Sequence, residues 1–298
     1  MTIKEWLNLA HQKYSSRPEF SRLDAEIILC EVLSGASRLD RSELILHEDY
    51  ELTNNQIKSA DKLVRQRFLK GCPLAYILKE KEFYGRTFYV DERVLIPRPE
   101  TESIINVVKE IAKKFFSNNT ENLRVIDIGT GSSCIATTLK LELPEADITA
   151  TDVSKNALEV AKINSDKFRA DIKLLQSDLL KDVSETYQLY IANLPYVDKK
   201  WEWISKNLRF EPKKALFASD GGLLIIKKFL TQIATKISSQ NIISPIYLVL
   251  EFDPSQKPAV RKFIRQLEKN SSIKFEEVQK LNSLKETEFL MVLAASKK

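Results

Sequence analysis

Four short stretches carry residue types whose spacing suits chemistry. The first is Asp127-Ile-Gly129-Thr130-Gly131-Ser132-Ser133, which follows an apolar run and precedes a helical pattern. Glycines at such a turn let the backbone approach a ligand closely, and the helix start behind them offers N–H groups. The chain has seven glycines in 298 residues, where average usage of ~7% would give roughly 21. A residue used so sparingly belongs where no other fits. The second stretch ends at Asp152, 21 residues beyond Gly131. An acid there can accept both hydroxyls of a ribose or support the start of a helix at Ser154. The third is Ser177–Asp178, whose carboxylate can accept from an exocyclic amine or cap a turn. The fourth is Asn193-Leu194-Pro195-Tyr196. Asn193 offers a side-chain carbonyl, Pro195 holds Leu194 extended and exposes main-chain carbonyls, and Tyr196 presents a flat face. Together they suit a planar –NH2 group: two acceptors for two hydrogens, with an aromatic platform behind. A strand-ending turn would use the same residues.

A glycine turn plus a downstream acid fits either a dinucleotide or S-adenosylmethionine, since both contain adenosine. Asp127 favours the second, because a carboxylate repels a pyrophosphate and attracts an aminoacyl ammonium.

The elements that must position these groups come from periodicity. From Leu123 onward, short apolar runs alternate with helical patterns. Strands are expected at 123–129, 147–152, 172–178, 188–193 and 246–252, with helices between most of them. This predicts a parallel, doubly wound sheet whose strand ends line a ligand crevice. The final runs, KFEEVQKL and EFLMVLAA, leave no room for a helix and are expected to pair antiparallel. Residues 1–81 read as a small helical domain, with Thr53 as a helix N-cap and a break at Ser34–Gly35. Residues 82–96 read as a hairpin linker turning at Gly85–Arg86, and 97–298 as the domain with the chemistry. Pro97 and Pro99 hold Arg98 in a rigid segment before a helix over roughly 100–116 and a polar break at 117–122. The stretch 197–222, with Trp201, Trp203, Arg209 and Glu211, is long enough to serve as a lid.

Composition excludes other classes. Three cysteines stand far apart and the two histidines, His11 and His47, fall in the helical region. No zinc site, disulfide framework or Ser–His–Asp triad is expected. No apolar run reaches the ~18 residues of a membrane span, and the first twenty residues lack a signal-peptide core. A cytoplasmic protein is expected. The net charge of +5 is mild for this length and decides nothing about partners.

On Asp127–Ser133, Asp152, Asp178 and Asn193–Tyr196 the chain resembles the class I S-adenosylmethionine-dependent methyltransferases that modify planar nitrogens. On Leu95-Ile-Pro-Arg98-Pro-Glu100-Thr-Glu102, Arg209-Phe-Glu211-Pro212, Gly71-Cys-Pro-Leu-Ala-Tyr76 and Glu82-Phe-Tyr it resembles, more narrowly, the protein-(glutamine-N5) methyltransferases of peptide chain release factors. The resemblance spans almost the whole chain. It implies a Rossmann-like domain with a mostly parallel sheet and an antiparallel last strand, behind a small helical substrate-recognition domain and a hairpin. It implies S-adenosylmethionine bound by Asp127, Gly129, Thr130, Gly131, Ser132, Ser133, Asp152, Asp178, Leu179 and Asn193. It implies catalysis by Asn193, Pro195 and Tyr196, and substrate contacts from these three with Leu194, Arg98 and Glu211. The implied substrate is the glutamine of a Gly-Gly-Gln motif in a release factor, met by a monomer that needs neither membrane nor nucleic acid. The chain departs from the pattern at Leu194, where the family has proline, at Ser133, where it has a third glycine, and at Leu281–Glu286, where it has a basic, glycine-containing segment. Asn-Leu-Pro-Tyr also resembles the adenine-N6 dimethyltransferases of ribosomal RNA, so adenine in RNA or DNA is the competing substrate. A cofactor-binding module without catalysis is the third reading.

Overall fold

The computed structural model describes residues 1–18, 20–34, 40–116, 123–201, 206–239, 245–279 and 281–298. Gly35, the break at 117–122 and Trp203 lie outside the described residues. The chain divides into two compact units, Met1–Glu80 and Lys81–Lys298.

The first unit is helical: α1 (Ile3–Tyr14), α2 (Arg22–Leu33), α3 (Arg41–Leu46), α4 (Asn54–Phe68) and α5 (Leu74–Leu78). Thr53 does cap α4, in a reciprocal box with Gln56, and Thr2 makes the same box with Glu5 on α1. The apolar positions read from helical spacing form its core. Trp6, Ala25, Ile28, Leu29, Ala60, Val64 and Phe68 are all buried.

The second unit opens with a hairpin of β1 (Glu80–Phe83) and β2 (Arg86–Tyr89). Its turn is Tyr84–Gly85, not Gly85–Arg86. Both residues have positive φ, +52° and +68°, the handedness that matches the twist of the flanking strands. Phe83 and Phe88 are fully buried among Ile104, Ile105 and Leu139, so the hairpin is built into the core of this unit. The expected helix over 100–116 starts later. Pro99–Glu102 form a 3-10 turn, and α6 runs Ser103–Phe115.

Strands and helices then alternate: β3 (Arg124–Ile128), α7 (Cys134–Glu142), β4 (Asp147–Asp152), α8 (Lys155–Lys167), β5 (Lys173–Gln176), β6 (Leu189–Asn193), α9 (Lys213–Leu216), α10 (Leu224–Ser239), β7 (Ile246–Glu251), α11 (Lys257–Lys269), β8 (Ile273–Glu277) and β9 (Leu290–Lys297). The seven described strands from β3 onward form one sheet in the order β5-β4-β3-β6-β7-β9-β8. All neighbours are parallel except β9, which runs antiparallel to β7 and β8. This is the class I methyltransferase fold. Side chains alternate across it with period two. Ile126, Ile128, Tyr190 and Ala192 face a core shared with α10 and α11, while Val125, Leu189 and Ile191 face one shared with α6 and α7. Chain order reverses between β3 and β6, so their carboxyl ends flank the switch point where open α/β sheets bind ligands.

Candidate active site

The loop leaving β3 is shaped by its neighbour β4. The N–H groups of Gly129 and Thr130 both donate to the Thr151 carbonyl, at 2.8 and 2.9 Å. The Gly131 N–H donates to Asp152 Oδ2 at 3.0 Å, and Asp152 Oδ1 accepts from the Ser154 N–H at 2.8 Å. Asp152 thus fastens the glycine turn to the head of α8, while Ser154 itself caps that helix through the Ala157 N–H. Burial pushes the Asp152 carboxyl up, against the pull of these backbone donors. Gly129 and Gly131 have φ of +76° and +54°. A Cβ on Gly131 would meet nothing within 4 Å, so the space over the turn is open, and the exposed side chain of Val153 stands beside Asp152.

Asp127 lies under this turn, almost wholly buried. Its Oδ2 accepts from Thr130 Oγ1 at 2.6 Å, and Oδ1 is buried with no partner among the described residues. Burial pushes its carboxyl up to about 7, with Asp152 adding to the shift. A buried carboxylate oxygen left unmatched is costly. A cationic group above the turn would satisfy it, so the residues present fit an aminoacyl ammonium.

Ser133 does not cap α7 with its side chain. Its backbone is left-handed, φ +60°, a conformation that favours glycine, and its hydroxyl bonds Thr137 Oγ1 and the Ala161 carbonyl instead of a first-turn N–H. Asp178 is half-exposed and ion-paired with Lys228 on α10, and Leu179, also left-handed, is buried. An adenine amine would have to share Asp178 with that lysine.

Asn193 ends β6 directly beside Glu251 at the end of β7. Asn193 Nδ2 donates to Thr101 Oγ1 at 3.2 Å, and Thr101 Oγ1 donates to Glu251 Oε1 at 3.2 Å. Holding Nδ2 fixes the amide plane and turns Oδ1 the other way. Glu251 is buried, its Oε2 has no partner among the described residues, and burial reinforced by Glu100 pushes its carboxyl up to about 7. Leu194 is a core residue: a Cβ on Gly129 would sit 3.1 Å from its Cδ2, so its side chain packs against the glycine turn. The turn Pro195–Tyr196 is pinned from behind, because Gln256 Nε2 donates to both the Tyr196 carbonyl (2.8 Å) and the Gly221 carbonyl (2.7 Å). Burial raises the Tyr196 hydroxyl pKa, with Glu251 and Asp253 adding to it, so the phenol stays protonated.

Arg98 and Glu211 hold one another. Arg98 Nη2 lies 2.7 Å from Glu211 Oε1, and Glu211 Oε2 accepts the Ile96 N–H at 3.0 Å. The Glu211 carboxylate is buried and engaged at both oxygens, so it clamps the segment around Ile96 and Arg98. Within the described part of 197–222, Val197 bridges Phe217 in parallel, and residues 206–210 form a 3-10 turn. Sequence reasoning assigned no role to Thr101, Glu251 or Gln256. The signal for Glu251 was there, an acid at the carboxyl end of the strand next to Asn193.

Two family models match the chain: the PrmC N-terminal domain over residues 5–78 and the methyltransferase small domain over residues 109–240. The release factor glutamine methyltransferase of Flavobacterium psychrophilum is 36% identical over 227 residues, 74% of this chain and 78% of that protein. The enzyme of the same name from Bacillus cereus is 32% identical over 81% of this chain and 83% of its own length. That of Koribacter versatilis is 35% identical over 78% and 81%. No helix among the described residues is long and apolar enough to cross a membrane.

Proposed function

The chain belongs to the release factor glutamine methyltransferases, and on that premise we propose that it moves a methyl group from S-adenosylmethionine to the side-chain nitrogen of the Gly-Gly-Gln glutamine in a release factor. When bound, S-adenosylmethionine supplies an electrophilic methyl group on a sulfonium. The observation that carries the reading is the locked amide of Asn193, one strand away from the glycine turn over Asp127.

A glutamine nitrogen is a poor nucleophile because its lone pair is delocalised into the carbonyl. Asn193 Oδ1 and the Pro195 carbonyl accept its two hydrogens and aim it. Such positioning can supply ~7–11 kcal/mol of a barrier. The same dipoles stabilise the positive charge that would develop on the nitrogen as its bond to the methyl carbon forms and the bond from that carbon to sulfur breaks, leaving a neutral thioether; the nitrogen then loses a proton to water. Asp127 Oδ1 receives the donor's ammonium, and Asp152, already fixed by Gly131 and Ser154, keeps lone pairs for ribose hydroxyls. Tyr196, protonated and pinned by Gln256, backs the amide plane.

The test is incubation with methyl-labelled S-adenosylmethionine and a purified release factor, followed by mass spectrometry of the Gly-Gly-Gln peptide. Label on the glutamine supports the reading. Label on adenine of added RNA, or donor binding without transfer to either, overturns it.

A further inference from the structure

Beyond the residues assigned above to donor and substrate, one buried carboxylate, Glu251, is built into the site. Glu251, Thr101 and Asn193 form a continuous chain: Asn193 Nδ2–H donates to Thr101 Oγ1, whose hydroxyl donates to Glu251 Oε1. We propose that Glu251 is a positioning residue which, through Thr101, orients the Asn193 amide and sharpens its Oδ1 as an acceptor for the substrate –NH2. This role rests on the methyl-transfer reading and deepens it.

Three observations carry it. First, the groups come from three elements far apart in sequence, the 3-10 turn ahead of α6 and the ends of β6 and β7, and all three are held where substrate must arrive. Second, Thr101 and Glu251 are nearly inaccessible, and Glu251 Oε2 has no partner among the described residues. A buried carboxylate kept at such cost, where a neutral side chain would pack, needs a use. Third, the direction of donation is polarising. Drawing hydrogen-bond density from an amide N–H toward an anion makes the amide oxygen more negative, and bonds in a chain reinforce one another in a low-dielectric interior. The relay works only when Glu251 is ionised, since a protonated carboxyl turns a donor into the chain.

The groups facing Glu251 set its charge. Glu100 and Arg98 flank it from the 3-10 turn with opposite effects, Asn193 and Thr101 donate toward it, and Tyr196 and the buried, protonated Cys134 of α7 complete its surroundings. Burial dominates, so ionisation falls near neutral pH, at about 7. Asp127 titrates in the same range, at about 7, but it bears on donor affinity. Turnover at saturating donor therefore isolates Glu251.

The first measurement needs no substrate: the side-chain amide 15N resonance of Asn193, followed across neutral pH in the free protein. It should move with a single midpoint near neutrality, and the movement should vanish in Glu251→Gln and in the isosteric Thr101→Val. In turnover at saturating donor, Glu251→Gln should lower kcat on the order of tenfold, the size seen when an orienting outer partner is lost. It should abolish the acid limb of the kcat–pH profile and leave donor KM unchanged. Thr101→Ser, which keeps the hydroxyl, should retain both. An Asn193 resonance that ignores pH in the wild type, or a Glu251→Gln variant with wild-type kcat and pH profile, overturns the role. A protein whose Asn193 titrates as described but which methylates no release factor would keep the relay and reject the methyl-transfer reading.

Discussion

Gly222 lies so close to the Tyr196 carbonyl that a Cβ built on it would sit 1.9 Å from that oxygen and 2.8 Å from its carbon. Both the crowding and the left-handed backbone, φ +82°, exclude any side chain. Gly222→Ala must displace the Pro195–Tyr196 turn and the Gln256 staple, costing at least about 2 kcal/mol of stability from overpacking and backbone strain. Its neighbour is the control. Gly221 is also left-handed, φ +65°, but a Cβ there meets nothing within 4 Å, so Gly221→Ala should cost only about 1 kcal/mol. Denaturant unfolding of both variants checks the difference, and equal losses would show that the turn does not depend on the approach of Gly222.

Asn193→Ala removes the acceptor without disturbing the glycine turn. Turnover should fall on the order of 10²-fold or more, the loss seen when one transition-state hydrogen bond is deleted, while donor affinity by calorimetry stays close to wild type. A variant that loses donor binding as steeply as turnover would show Asn193 to be a cofactor residue only.

What the sequence made legible follows from how far apart the partners lie. Strands β3 to β7 came from local alternation and apolar runs, and the glycine turn with its downstream Asp152 came from a spacing within one strand–helix–strand unit. The hairpin turn was misplaced by one residue because Tyr84 takes a left-handed backbone that its residue type disfavours. Side-chain pairing between distant segments was not legible. Arg98 and Glu211 stood out as polar residues in motifs, yet the salt bridge between them spans 113 positions and buries the Glu211 carboxylate. The hydrogen bond between Thr101 and Glu251 spans 150 positions, so no local pattern could join them. The ion pair between Asp178 and Lys228, 50 positions apart, was equally out of reach of local pattern.

Asp127 couples function to pH and stability. Its carboxyl rises from 3.8 to about 7 in the folded chain, so the folded state holds the proton more tightly than the unfolded one. The stability this contributes is complete below the unfolded pKa and is lost as pH rises through about 7. Above neutrality the donor-free protein carries a buried, half-satisfied carboxylate. Asp127→Asn should therefore stabilise the free protein in alkaline buffer by roughly 1 kcal/mol or more, seen as a higher thermal midpoint, and should weaken donor binding because the ammonium loses its counter-charge. Calorimetric melting at acid and alkaline pH, with donor titrations alongside, tests both halves. A destabilised variant that binds donor normally would contradict them.

The Arg98–Glu211 clamp separates a structural role from a substrate contact. The Glu211 side chain is 3% exposed and that of Arg98 34%. Arg98→Ala leaves a buried carboxylate with only the Ile96 N–H for company. Breaking a fully buried pair costs 3–5 kcal/mol, and the partial exposure of Arg98 reduces that to about 2 kcal/mol here. Glu211→Gln keeps the Ile96 hydrogen bond and loses the charge, so it should cost less. Because each single change already abolishes the pairing, the double variant should be less destabilised than the two costs combined, with a coupling of about 1 kcal/mol. Denaturant unfolding of the four proteins gives that number. The two segments the clamp joins lead into Thr101 on one side and the 197–222 stretch on the other, so turnover should fall with stability in every variant. An Arg98→Ala protein that unfolds like wild type but needs a higher release factor concentration would return Arg98 to the role of a direct substrate contact.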